Sequence, residues 1–474
     1  MQTHSSSNAS VPDAEISDAA IRSLPQTLRH RRQQLAQQCS APIIFWSGNP
    51  HSRNFPANTY PFRASSHFLY FAGLPLQNAA IRLESGRLEL FMDDPTSASI
   101  LWHGASPSRS QIAETIGADA DYPLYRLKSF TEHAATIPVQ DAATRLQQSQ
   151  LLSRMMTPAN GLQGIDLDLA KAIVHLRLIH DPAALAEIRQ AAAVTVKAHE
   201  AGMATTRTAS TEAGVRAAME QVILSHTMTC AYSSIVTVHG EVLHNDRYPN
   251  PLQSGDLLLA DVGAEAETGW AADVTRTWPV SGRFSPTQRD IYEVVKTAHD
   301  VCIDQAHPGV EYRDLHLRAA TVLAAGLVDL GILRGRAEDL VDMDAHALFF
   351  PHGIGHLLGL DVHDMEDLGD LAGYAPGRSR SDRFGLGYLR LDRPLAPGMV
   401  VTIEPGFYQV PAILNDPDRR AKYQDVVNWE RLAAFSDVRG IRIEDDILIT
   451  PTNAEILTAA LPTDREAIET ITQG

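Results

Sequence analysis

The sequence predicts an α+β chain of two unequal parts, and three observations predict it. Up to about residue 165, short apolar segments alternate with helical ones and with turn residues. From about residue 175 the helical stretches become long and alanine-rich. Between them lie strand-like runs that carry aspartate, glutamate or histidine beside buried-type residues.

The first part opens on LPQTLRHRRQQLAQQC, which reads as a helix. APIIFWSG follows, a short apolar run closed by Ser-Gly, and reads as a buried strand. HFLYFAGL, AAIRLES and RLELFMDD come next with turn residues between them, completing an N-terminal α/β domain over 19–165. No tight cluster of metal-binding side chains occurs there. In the second part Asp181-Pro182 stands where a helix should start, with proline in the first turn. TEAGVRAAMEQVILSH, SPTQRDIYEVVKTAHDVCIDQA and YRDLHLRAATVLAAGLVDLG are further helices. YSSIVTVHG, GDLLLADVGAE, GMVVTIEPGF and GIRIEDDILIT are the strand-like runs, giving a second domain over 175–460.

Composition narrows the function. At 474 residues the chain has room for two or three domains, and 44% apolar with 20% charged residues is an ordinary globular mix. The net charge of -17 is spread along the chain, and there is no basic stripe, which argues against nucleic acid. Cys39, Cys230 and Cys302 are odd in number and far apart, so neither a disulfide framework nor a thiolate zinc site is suggested. The first twenty residues lack the apolar stretch of a signal peptide, and no run approaches the eighteen or so apolar residues of a membrane span. A cytoplasmic protein is expected, with residues 1–18 as a disordered tail.

The chemistry lies in the strand-like runs. Asp261 ends the apolar run of GDLLLAD. Twelve residues later Asp273 is flanked by Ala271, Ala272 and Val274. Glu404 ends MVVTI and precedes Pro405-Gly406, and Glu444 lies in GIRIEDDILIT, where Arg442 shares its face by the two-residue period of a strand. HGIGHLLGLDVHD supplies His352, His356 and His363, and Gly353 and Gly355 argue against a helix there. Any one of these residues is most simply a solvated strand end or a satisfied core histidine. Four buried carboxylates together are untenable unless cations neutralise them. Carboxylates with an imidazole form a hard set that suits Mn²⁺ and can hold Co²⁺, Fe²⁺ or Zn²⁺. Bridging carboxylates let five such residues serve two ions about 3.5–4 Å apart, with a shared hydroxide as nucleophile.

The order Asp-x11-Asp, HGIGH, IEPG and IRIEDD resembles the pita-bread metallopeptidases, and HGIGHLLGLDVHD resembles their proline-specific branch, aminopeptidase P and prolidase. FPANTYPFRASSHFLYFAGL resembles the aminopeptidase P N-terminal domain. The resemblance implies Asp261, Asp273, His356, Glu404 and Glu444 as metal ligands. It implies His244 near the scissile bond, His363 stabilising the tetrahedral intermediate, His352 beside the substrate, and Arg442 and Tyr408 in the hydrogen-bond network behind the metals. Glu404 doubles as general acid and base. The implied activity is hydrolysis of the bond between an N-terminal residue and a following proline. Homo-oligomers, dimers or tetramers, are implied as well. The long stretch YAPGRSRSDRFGLGYLRLDRPLAPGM pulls towards prolidase, whose arginine grips a dipeptide carboxylate, and Arg390 matches that arginine. Trp270 and Trp278 read as core. The segment 411–440 is open between pocket wall and oligomer contact. A metal-free binding protein on this fold is a third reading, set aside because all five ligand positions are filled. GIGHLLG is one residue longer than a dinucleotide fingerprint, and neither HExxH nor GxSxG occurs.

Overall fold

A computed structural model describes residues 23–158 and 161–474. The tail expected over 1–18 lies outside the described residues. The N-terminal part is built on a four-stranded sheet in the order Ile43–Trp46, Ala80–Glu84, Arg87–Phe91, Ala120–Tyr122. Its first three strands pair antiparallel and the last is parallel to its neighbour. Leu24–Ala36 is the opening helix, started by proline in its first turn and a reciprocal Ser23–Gln26 cap. HFLYFA folds as a helix, Ser66–Ala72, with His67 through Ala72 all buried and Gly73 ending it at φ 70°.

The second part packs long helices around small antiparallel sheets. Gly164–Arg177, Pro182–Thr205, Glu212–Ser225, Pro286–Gln305 and Tyr312–Asp329 form the helical shell. One sheet runs Thr275–Pro279, Leu257–Asp261, Ile235–Thr237; another runs Val400–Ile403, Asp445–Ile449, Ala454–Ile456. GMVVTIEPGF and GIRIEDDILIT each break in two. Val400–Ile403 pairs with Asp445–Ile449, and Gly406–Tyr408 pairs with Gly440–Arg442. At the break Pro405, which has no N–H, interrupts the ladder. Glu404 N–H turns to the Ile354 carbonyl at 2.8 Å, and Glu444 N–H to the Thr275 carbonyl at 3.0 Å. The interruption therefore releases both glutamates at one point and ties each to a different neighbouring segment.

The two parts meet through buried charge. Arg177 donates to Asp364 at 2.6 Å and contacts His67 Nδ1 at 2.9 Å, while His67 Nε2 lies 3.0 Å from Asp367. Arg63, the arginine of the Tyr-Pro-x-Arg stretch, donates to Glu265 at 2.7 Å and also reaches the Leu360 carbonyl. Ser66 donates to Asp361 at 2.6 Å. Residues of the N-terminal part thus hold the 360–367 loop that carries His363. The 411–440 segment packs on the shell, with Tyr423 donating to the Met343 carbonyl at 3.1 Å, and none of its side chains lines the cavity described next.

Candidate metal centre and active site

Asp261 is the last residue of its strand and faces Thr275 across the ladder. The tight approach beyond it requires Gly263, where a Cβ would lie 1.9 Å from the Ala272 carbonyl oxygen. Asp273 is held by its own N–H, which donates to Asp446. His356 arrives on the glycine-rich loop, and Gly355 lets that loop press on Tyr312 and Thr402, since a Cβ there would meet the Tyr312 hydroxyl at 2.2 Å. The Thr402 N–H donates to the His356 carbonyl at 3.0 Å, and the His356 N–H donates to Thr402 Oγ1 at 3.1 Å. The His356 Nδ1–H donates to the Leu357 carbonyl at 3.0 Å, so Nε2 keeps its lone pair for a ligand role.

These segments converge on a cavity of about 310 Å³ lined by Asp261, Asp273, His356, Glu404 and Glu444. Two trios within it place ligand atoms within 4.8 Å of one another: His356, Glu404, Glu444 and Asp261, Asp273, Glu444. They share Glu444. A third trio joins Asp273 and His356 to His363. The five residues resemblance pointed to therefore come together, from loops and strands almost 200 residues apart.

Burial dominates the electrostatics. Burial, reinforced by the charges of Asp273 and Asp261, pushes the Glu404 carboxyl up to about 8 even with Arg442 nearby. Burial and the same neighbours push Glu444 well above the carboxylate range, and Asp261 and Asp273 are raised too. The Tyr232 hydroxyl touches both Asp261 and Asp273, yet it has one hydrogen to donate. Such a cluster must either take up protons or bind cations. Oxygen donors with one available imidazole nitrogen fit hard divalent ions.

Behind the carboxylates lies one network. Arg442 donates to Asp261 at 2.6 Å, to Thr275 Oγ1 at 2.9 Å and to the Tyr408 hydroxyl at 2.9 Å. Thr275 passes its hydrogen to Glu444 at 2.6 Å. Tyr408 lies 2.9 Å from His352 Nε2, and His352 Nδ1–H donates to the Gly353 carbonyl. Tyr408 is fully buried and stands behind the cavity, whereas His244, His352, His363, Arg390 and Arg442 all line it. Burial holds His352 near 3 and lowers His363 and His244, so all three imidazoles are neutral at pH 7. Trp278 is core, donating to Thr206 at 2.8 Å, and Trp270 is buried edge-on to His180.

Four side chains at the site were not singled out from the sequence. Tyr232 and Asp446 hold the aspartates. Thr275 is two residues from Asp273 and links Arg442 to Glu444; the two-residue strand period was the available signal. Glu366 accepts from His363 Nδ1 and from Arg390. Burial alone would raise Glu366, but those bonds and charges hold it at about 2. Its signal was the three-residue spacing from His363, one helical turn.

The description Metallopeptidase family M24 matches residues 186–451, more than half of the chain, and Aminopeptidase P, N-terminal domain, matches 28–138. The chain belongs to this metallopeptidase family. It has the two-domain aminopeptidase P fold, an N-terminal domain followed by the pita-bread domain, as the sequence predicted. The Xaa-Pro aminopeptidase of Escherichia coli is 30% identical over 94% of this chain and 97% of its own. A probable Xaa-Pro aminopeptidase of Fusarium vanettenii is 31% identical over 85% of each. Among solved structures, the aminopeptidase P of Escherichia coli in its low-pH form superposes with a TM-score of 0.78 at 27% identity, covering 95% of this chain and 98% of that one. Family membership implies divalent metal ions, and the donor set above fits them.

Proposed function

We propose that this metallopeptidase removes the first residue from peptides whose second residue is proline. The relatives named for that reaction span nearly the whole chain. The observation that carries the reading is the pair of donor trios sharing Glu444 at the floor of one cavity. Asp261 and Asp273 would hold one ion, His356 and Glu404 the other, with Glu444 common to both; Mn²⁺ suits the set best. Two bound divalent ions supply Lewis acidity and lower the pKa of a shared water towards ~7.

The chain's own groups do the rest. Glu404 accepts a proton on its carboxylate and delivers it to the departing proline nitrogen, as general base and then acid. Its Oε2 lies 3.7 Å from His352 Nδ1, on the wall of the same cavity. His363 has committed Nδ1–H to Glu366, so Nε2 is an acceptor and can stabilise charge on the carbonyl oxygen only once it takes up a proton; His244, which also lines the cavity, can share that role. Leu243, Pro351 and Tyr388 supply a wall that suits the apolar pyrrolidine ring. Because proline lacks an N–H, a site that demands none there accepts a bond that other peptidases refuse.

The second reading is cleavage of Xaa-Pro dipeptides alone, and Arg390 on the cavity wall favours it. Glu366 already occupies that guanidinium, so a dipeptide carboxylate would have to compete with it. Protein stripped with chelator and reloaded with Mn²⁺ would be given Gly-Pro and Arg-Pro-Pro, with products read by mass spectrometry. Metal-dependent release of arginine supports the first reading. Cleavage of the dipeptide alone makes the enzyme a prolidase, and cleavage of neither overturns both.

The same proposal places the enzyme in the cytoplasm as a dimer or tetramer. Its three cysteines are free, and among the described residues no helix is long and apolar enough to cross a membrane. Helix Ser97–His103 buries none of its residues and leaves Leu101 and Trp102 about three-quarters exposed (77% and 78%), a face that self-association would cover. Light scattering on wild type and Leu101→Asp tests it; a monomer in both cases sinks this part.

A further inference from the structure

Residues beyond the proline of a longer peptide must leave the catalytic cavity past one of its walls. His363 belongs to that wall and also to two neighbouring cavities. One measures about 140 Å³ and is closed in by Glu366 and Arg390. The other measures about 420 Å³, larger than the catalytic cavity itself, and lies between the N-terminal part and the 361–367 loop. At ~3.3 Å per residue an extended chain needs room for several residues, which only the larger cleft offers.

Its walls are set to receive a polar chain. His51 projects from the N-terminal side, well exposed, with Nε2 only 3.6 Å from Asp141. Phe62 offers an apolar surface beside it. On the opposite side, Asp367 lines the cleft with its side chain 24% exposed, held by His67 Nε2 at 3.0 Å from Oδ2. Each residue of a bound peptide other than proline brings one backbone N–H, and side-chain acceptors on both walls of the cleft can receive them.

We infer that this cleft between the two domains is a binding subsite for the part of a peptide substrate that follows the proline, with His51 and Asp367 among its contacts. The inference rests on the proposed peptidase reading, and the N-terminal domain then takes part in selecting substrates by length.

The test uses Mn²⁺-loaded full-length protein and product peptides that begin with proline and so are not cut. Calorimetric titration compares Pro-Gly with Pro-Gly-Gly-Gly-Gly. The longer peptide is expected to bind about tenfold more tightly, a difference of ~1.4 kcal/mol. His51→Trp, which fills the cleft from its exposed side, should abolish that difference while Pro-Gly binds as before. Equal affinity of the two peptides for wild type overturns the subsite. So does a His51→Trp protein that keeps the full length dependence or weakens both peptides alike. Cleavage of Arg-Pro-Pro by the same preparation reports separately on the peptidase reading, so the two failures are distinguishable.

Discussion

Arg442 Nη2 lies 2.6 Å from Asp261 Oδ2, and the same guanidinium reaches Thr275 and Tyr408. One cation therefore fixes a ligand of one donor trio directly and Glu444, common to both, through Thr275. Its removal leaves Asp261 buried without its cationic partner. Arg442→Met should destabilise the protein by ~3–5 kcal/mol in chelator and weaken metal binding about 10–100-fold. Urea unfolding and metal titration check both, and unchanged metal affinity would sink the positioning role of Arg442.

The shared position of Glu444 makes a stoichiometric prediction. Glu444→Ala should lose both ions, whereas Asp261→Ala or Glu404→Ala should each disturb one more than the other. Metal content after dialysis, measured by plasma mass spectrometry, separates the cases. Wild type should also melt several degrees lower in chelator than with Mn²⁺, because a ligand that binds only the folded state stabilises it. A melting temperature indifferent to metal would falsify the ligand set.

Glu366 should matter through His363. Glu366→Ala frees the imidazole to rotate and to change tautomer, so kcat should fall about 10–100-fold with KM little changed. Glu366→Gln keeps an acceptor oxygen for Nδ1–H and should recover part of the loss. Steady-state kinetics on Arg-Pro-Pro decides it, and equal rates in Glu366→Ala and wild type would reject the assignment. If instead dipeptide cleavage rises in Glu366→Ala, Arg390 has been released to bind a carboxylate, and the prolidase reading gains.

Much of the site was legible because buried carboxylates stand out against apolar runs. Asp261 at the end of Leu257–Ala260 and Glu404 at the end of Val400–Ile403 are charges where strands should be apolar. The splitting of GIRIEDDILIT was not legible, since Gly440–Arg442 and Asp445–Ile449 are buried throughout and both halves satisfy a strand pattern. HFLYFA was ambiguous for the same reason: six consecutive buried residues have neither helical nor strand periodicity. The contacts that aim the His363 loop were out of reach altogether. Arg177 and Asp364 are 187 positions apart, and nothing local marks either as a partner.

Three buried histidines away from the cavity contribute to the response to acid. Burial holds His316 at about 3, with the charges of His346, His352 and Arg313 acting the same way, and both its ring nitrogens lack a hydrogen-bond partner among the described residues. Burial likewise holds His346 at about 4, against the pull of Asp344, and His199 at about 4, despite its 3.1 Å contact with the Val262 carbonyl. In the unfolded chain each takes a proton near 6.5. Protons therefore favour the unfolded state, and stability present above pH ~6.5 is lost as pH falls towards 4. His299 works in the opposite direction, since Asp300 and Asp445 outweigh its burial and raise it, and so do the raised carboxyls of Glu404, Glu444, Asp261 and Asp273 while no cation neutralises them. In metal-loaded protein, where the cluster's carboxylates are held ionised, the melting temperature should fall between pH 6.5 and 4.5. His316→Phe removes one titrating group beside Phe350 and should make that slope shallower, whatever it does to stability at pH 7. A slope identical to wild type would mean that His316 is not among the groups driving acid unfolding.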